Sequence, residues 1–121
     1  MSLTKLELDP NGVDAHSPGA KLDAGKAEIM RGVLRYFPNA VSAVAEVSSF
    51  GARKYTWHGW ESVPDGINRY GDALARHLVK EVIEGDFDTD SNLLHAAHAA
   101  WNALARLELL MRQRHTEIAD G

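Results

Sequence analysis

The sequence has no cysteine among its 121 residues. Disulfides, thiolate metal sites and cysteine nucleophiles are therefore excluded, and the composition fits a reducing compartment. No run approaches the roughly 20 apolar residues of a membrane span. The N-terminus lacks the apolar core of a signal peptide. Positive charge is not in excess: 13 Lys and Arg stand against 17 Asp and Glu, a formal net charge of −4. That balance argues against a strongly electropositive nucleic-acid footprint. What is present, 45% hydrophobic and 25% charged residues, is ordinary for a globular chain and argues against disorder. The expectation is a soluble cytoplasmic protein with one domain and no nucleic-acid or membrane partner.

Proline is scarce, at four residues, and two of the four fall in the first 25 positions. With Gly12, Gly19 and Gly25 they make 1–25 an N-terminal arm, partly extended and coil-like. From position 26 the texture turns helical, and 26–115 reads as the functional domain, with 116–121 as a tail. Ile29, Met30, Val33 and Leu34 recur at steps of three and four over 26–36. A second helix is expected from Pro38 or Asn39 to Phe50, with Gly51 just past its end. Positions 52–65 read as an ordered loop. A third helix spans about 67–84, with Gly85 as its stop. An acidic turn follows at 86–90, and Ser91 is placed to cap a fourth helix over about 92–114. The β-branched residues follow a helical period and do not alternate, so the fold class is all-α, about four helices.

Chemistry is signalled by polar residues beside the apolar stripes. Glu46 lies among Val44, Ala45 and Val47, where an ionised carboxylate calls for a cation, a metal or a solvated outer face. His77, Glu81 and Glu84 share one face of the third helix. They suit a divalent cation or an oriented imidazole, and equally a surface ion pair. His95, His98 and Asn102 share a face of the fourth helix, between alanines that leave room for a neighbour or a ligand. Asp86, Asp88 and Asp90 in the turn offer hard oxygen ligands for Mg²⁺ or Mn²⁺, and equally suit a merely solvated turn. Lys21, Lys26, Lys54 and Arg76 add cations of the kind that grip phosphates. Trp60, in the loop after Lys54, suits either base stacking or filling of the bundle.

The ordered set Lys21-Leu22-Asp23-Ala24-Gly25-Lys26, Glu46, Phe50-Gly51-Ala52-Arg53-Lys54-Tyr55, Trp60, Arg69-Tyr70, Arg76-His77-Leu78, Gly85-Asp86, Asp88, Ser91, His95, His98 and Asn102 resembles a known family. This is the phage and prophage dATP/dGTP diphosphohydrolase N-terminal domain, itself similar to the MazG-like all-α nucleoside triphosphate pyrophosphohydrolases. The resemblance covers about residues 19–111. It implies a MazG-like helical bundle that assembles as a dimer or tetramer and cleaves a (deoxy)nucleoside triphosphate to monophosphate and pyrophosphate with Mg²⁺ or Mn²⁺. A phage-encoded member would act in the host cytoplasm.

The resemblance is incomplete where the MazG-like signature places ExxE on one helix and ExxD on the next. Here Ser49 stands where the second Glu of the first motif would be, and the next helix carries Glu81-Val82-Ile83-Glu84. On this reading Glu46, Glu81, Asp86, Asp88 and His95 are candidate metal ligands. Glu46, His77 and His98 are candidate catalytic groups. Lys21, Lys26, Lys54, Trp60, Arg76 and Asn102 are candidate substrate contacts. Two other readings stay open: a metal phosphohydrolase that does not release pyrophosphate, and a non-catalytic nucleotide-binding assembly module.

Overall fold

A computed structural model describes residues 7–120, the backbone alone at Asp120. Three helices carry the architecture: α1, Pro38–Lys54; α2, Gly66–Glu84; and α3, His95–Asp120. Among the described residues there is no strand beyond a single antiparallel bridge between Phe87 and Leu94. The all-α expectation is met. Two units divide the chain, one up to Tyr36 and one from Phe37 onward.

In the N-terminal unit the Asp9 carboxylate organises the turns. It accepts the Lys21 N–H at 2.8 Å and the Asn11 N–H at 2.7 Å, which hold it below its usual pKa. Lys26 Nζ lies 3.6 Å from Glu7. The helix expected over 26–36 is shorter, one π turn at Met30–Leu34 closed by the Arg35 N–H to Met30 O bond of 2.9 Å. Gly32 weakens it from within, and Pro38 bars its continuation.

In the second unit α3 is the central rod. It packs along α2 and against α1, whereas α1 and α2 scarcely meet. Pro38 occupies the first turn of α1, where its missing N–H costs nothing. The helix runs past the expected stop at Phe50 to Lys54, carrying Gly51 inside it. Gly51 costs about 1 kcal/mol relative to alanine, and the added turn delivers Lys54 to Asp90, 3.1 Å away. α2 starts after Asp65, which sits in the left-handed region at φ 54° and accepts the Asn68 amide at 3.0 Å. It ends at Gly85, whose φ of 103° is open to glycine and strained for other residues. At Gly66 a Cβ would come within 2.9 Å of Leu109 Cδ1 on α3, so a larger residue there would push that side chain aside.

The start of α3 differs from expectation. Ser91 does not cap it; the helix begins at His95, and Asn92 turns the chain at φ 59°. Asp88 is the cause. It accepts both the backbone N–H and the hydroxyl of Ser91, each at 2.8 Å, and so binds the capping group into a turn. The helix also extends through the expected tail to Asp120.

Among the described residues the buried apolar side chains are Val47, Ala97, Ala99 and Ala105. None is large. Beside them Trp60, Tyr70 and Trp101 meet edge-to-face, with centroids 5.7–6.3 Å apart. Tyr70 O–H donates to Trp60 O at 2.7 Å, and Trp101 Nε1–H donates to Ser48 Oγ at 2.8 Å. This cluster ties the 3₁₀ turn Gly59–Ser62 and all three helices together. Val79, Val82 and Ile83 on α2, and Leu104 and Leu107 on α3, stay more than half exposed.

Candidate metal centre

The link between α2 and α3 folds back as a short ribbon. His95 N–H donates to Asp86 O and Asp88 N–H to Leu93 O, each at 2.8 Å, on either side of the Phe87–Leu94 bridge. Successive residues of an extended segment face opposite ways, and the ribbon carries Asp88 and His95 to the inner side, where His77 reaches them from α2. Ligand-capable atoms of His77, Asp88 and His95 lie within 4.8 Å of one another. His98 completes the cluster from the next turn of α3, its ring stacked on that of His77 at 4.5 Å and 6°. Phe50 of α1 meets the His98 ring edge-on at 6.1 Å.

His95 is fully buried, and both its ring nitrogens are engaged. Nε2 lies 3.2 Å from Glu84 Oε2. An ionised carboxylate only accepts, so His95 donates from Nε2. With that tautomer Nδ1 accepts, and the donor across the 3.0 Å gap is His77 Nδ1–H. The chain Glu84–His95–His77 thus leaves a lone pair on His77 Nε2. A second chain runs beside it: His98 Nε2 is 2.6 Å from Ser91 Oγ, which is 2.8 Å from Asp88 Oδ2.

Electrostatics follow from burial. Desolvation pushes the His77 pKa down, the neighbouring His98 and His95 push it further, and Asp88 only partly offsets this. His98 is also lowered, by burial first, against the opposing pull of Asp88 and Asp90. Burial pushes Asp88 up. The two Ser91 bonds and the facing histidines outweigh it, and the carboxylate lies below its ordinary value. The centre sets a carboxylate held below its ordinary value beside two imidazoles, His77 and His98, that are held below theirs.

Two imidazoles and a carboxylate make a donor set that fits a first-row divalent ion. The Glu84–His95 bond is the outer partner that metal-ligating histidines commonly carry. His77, Asp88, His95 and His98 therefore come together, without Glu46. Asn102 joins through the backbone, its Nδ2 donating to His98 O at 2.8 Å. Lys54 stands outside the cluster, paired with Asp90 at 3.1 Å.

Other candidates stand elsewhere. Glu46 lines a cleft of about 220 Å³ with Ala43, Phe87, Leu94 and Ala97, outside the three-residue cluster. Glu81 is half-buried on α2, also outside it. Asp86 is exposed and contributes its carbonyl to His95. Arg76 lines a groove on α2 with Asp72, Val79 and Lys80. Trp60 belongs to the aromatic cluster with Tyr70 and Trp101. Lys21 and Lys26 belong to the N-terminal unit.

The sequence places Glu84 on a face suited to orienting an imidazole and Ser91 as a helix cap, but neither stands among the metal, catalytic or substrate candidates. Both had a signal: Glu84 shares the face of His77 seven residues on, and Asp88-x-x-Ser91 has the spacing of a side-chain-to-backbone turn.

Residues 16–120 match the family described as dATP/dGTP diphosphohydrolase, N-terminal. The dATP/dGTP diphosphohydrolase of Salmonella phage PMBT28 is 35% identical over 82 residues, which cover 68% of this chain and 26% of that protein. The aligned stretch is thus about a quarter of the length of the curated relative it matches. No solved structure matches the chain.

Proposed function

The chain belongs to the dATP/dGTP diphosphohydrolase N-terminal domain family, and from that premise we propose that it hydrolyses a purine deoxynucleoside triphosphate, dATP or dGTP, to monophosphate and pyrophosphate with a divalent ion. The observation that carries this reading is the convergence of His77, Asp88 and His95 on one buried point. The ion is Mn²⁺ or Mg²⁺. The two imidazoles favour Mn²⁺, because Mg²⁺ prefers an all-oxygen shell.

His77, Asp88 and His95 would hold the ion, which supplies charge neutralisation of the triphosphate and a more acidic water. Asp88 contributes a full negative charge. Glu84 keeps His95 turned, with Nε2 protonated, so that Nδ1 would ligate the ion in place of the bond it accepts from His77. Water adds to the α-phosphorus, the bond to the α–β bridging oxygen breaks, and pyrophosphate leaves. Lys54 exchanges Asp90 for a phosphate oxygen and stabilises the charge that develops there. His98, neutral at pH 7, accepts or relays the proton released by the water. Asn102 holds the His98 carbonyl and with it the turn of α3 that carries the ring.

The enzyme acts in the cytoplasm, that of the host if it is phage-encoded. It assembles as a dimer or tetramer through apolar side chains that α2 and α3 leave exposed. Analytical ultracentrifugation tests the assembly, and a monomer at micromolar concentration removes it.

One observation favours a second reading. The donor set is rich in imidazole, and α1 with Glu46 scarcely meets α2 with Glu81 within the chain, which favours that reading over the paired carboxylates of the MazG-like signature. A metal phosphohydrolase releasing phosphate or triphosphate fits that set equally. Incubating dATP, dGTP, dCTP and dTTP with Mn²⁺, Mg²⁺ or chelator and identifying the products separates the two. Pyrophosphate with dAMP or dGMP supports the first reading, and triphosphate or phosphate supports the second. Nucleotide binding without turnover leaves an assembly module.

A further inference from the structure

The Ser91 hydroxyl has three neighbours: Asp88 Oδ2 at 2.8 Å, His98 Nε2 at 2.6 Å and the Leu93 N–H at 3.1 Å. A hydroxyl owns one proton and two lone pairs. The Leu93 N–H occupies one lone pair. The proton can go to Asp88 or to His98, and the choices are not equal. Asp88 is ionised, accepts only and is nearly buried, at 8% exposure. If the proton went to His98, the carboxylate would face a bare oxygen lone pair at 2.8 Å with little water to separate them. A nearly buried carboxylate left with the Ser91 N–H and facing that lone pair loses its hydroxyl bond and gains a repulsion, which is costly. The proton therefore goes to Asp88, and the second lone pair must receive a proton from His98.

We infer that Ser91 is a positioning residue: it orients Asp88 within the cluster and locks His98 in the tautomer protonated at Nε2, leaving Nδ1 as the basic nitrogen. The same direction of bonding argues against Ser91 as a nucleophile, because its proton is held by a carboxylate of lowered basicity and not by an imidazole. Two protonation patterns then run in parallel through the site. Glu84 fixes His95 and through it His77; Asp88 fixes Ser91 and through it His98. The stacked rings of His77 and His98 are the inner ends of these two chains. A hydroxyl serving only to shape the 88–93 turn would need its bonds to Asp88 and Leu93 and would leave the His98 proton unassigned.

The test uses the 121-residue chain uniformly labelled with ¹⁵N and free of metal. Long-range ¹H–¹⁵N correlation of the His98 ring reports which nitrogen carries hydrogen. The expected result for the unaltered protein is a single tautomer protonated at Nε2, and a single tautomer protonated at Nδ1 overturns the inference. This reading of the unaltered chain needs no variant and no metal, so it stands apart from the proposed activity. The orienting role toward Asp88 rests on the proposed metal centre and is read by Mn²⁺ binding, with circular dichroism as the fold control. In Ser91→Ala the Mn²⁺ dissociation constant rises about 10–100-fold, and Ser91→Thr, which keeps the hydroxyl, restores it. Unchanged Mn²⁺ affinity in Ser91→Ala, with binding intact in the parent, overturns the orienting role. Absence of Mn²⁺ binding in the parent protein instead removes the metal centre and leaves the tautomer result standing.

Discussion

Acid should unfold the metal-free protein in a window set by two histidines. His77 and His98 are stacked and both depressed, whereas in the unfolded chain each returns to its ordinary 6.5. Below that value the unfolded state binds more protons than the folded one, so stability falls as pH falls. Their contribution is complete above pH 6.5 and erodes from there down to the folded values. The slope is at most about 1.4 kcal/mol per pH unit for each ring, or about 2.8 kcal/mol for the pair. His77 is only partly buried, which lowers its share. Protonating one ring repels a proton from its partner, which spreads the loss over a wider range. Asp88 acts in a separate window: its depressed carboxyl contributes above its ordinary 3.8 and is lost only as pH falls below that. The assay is urea denaturation in chelator at pH 7.5, 6.5 and 5.5, followed by tryptophan fluorescence from the Trp60–Trp101 cluster. The midpoint should drop between pH 6.5 and 5.5, and in His98→Phe the drop should be roughly halved. A midpoint that holds or rises over that interval refutes the reasoning.

Three further outcomes follow from the same geometry. Glu84→Gln keeps the shape but weakens the partner of His95 Nε2, so Mn²⁺ affinity by calorimetry should fall about 10–100-fold with the unfolding midpoint nearly unchanged. Lys54→Met should raise KM for dGTP about tenfold or more, as loss of a charge-assisted phosphate contact does, while Mn²⁺ affinity stays put; an unaltered KM removes Lys54 from the substrate. Trp60→Ala opens a gap beside Tyr70 and Trp101 and should cost about 2–4 kcal/mol in urea unfolding, whereas Trp60→Phe should leave KM for dATP within about twofold if the ring fills the bundle.

Much of the helical plan was legible because its signals are local. The period of α2, the stop at Gly85 and the shared face of His95, His98 and Asn102 need only one turn of chain to be read. The start of α3 was not. Ser91 has the chemistry of a helix cap, and only the folded chain reveals that Asp88 takes its hydroxyl and N–H first. Carboxylate roles were illegible for a related reason. Glu46 and Glu81 lie on helices that scarcely meet, and helix pairing is a tertiary choice that periodicity does not encode. Trp60 suited base stacking and bundle filling equally until Tyr70 and Trp101 were seen against it.

The central claim is that one divalent ion sits between α2, the 86–94 ribbon and the first turn of α3. Anomalous diffraction from crystals grown with Mn²⁺ tests it most directly. The account predicts one peak per chain within about 2.0–2.4 Å of donor atoms from His77, Asp88 and His95, absent in crystals of Asp88→Asn. A fully bound Mn²⁺ at Glu46 or on the outer face of α2, with none at the three residues, contradicts it.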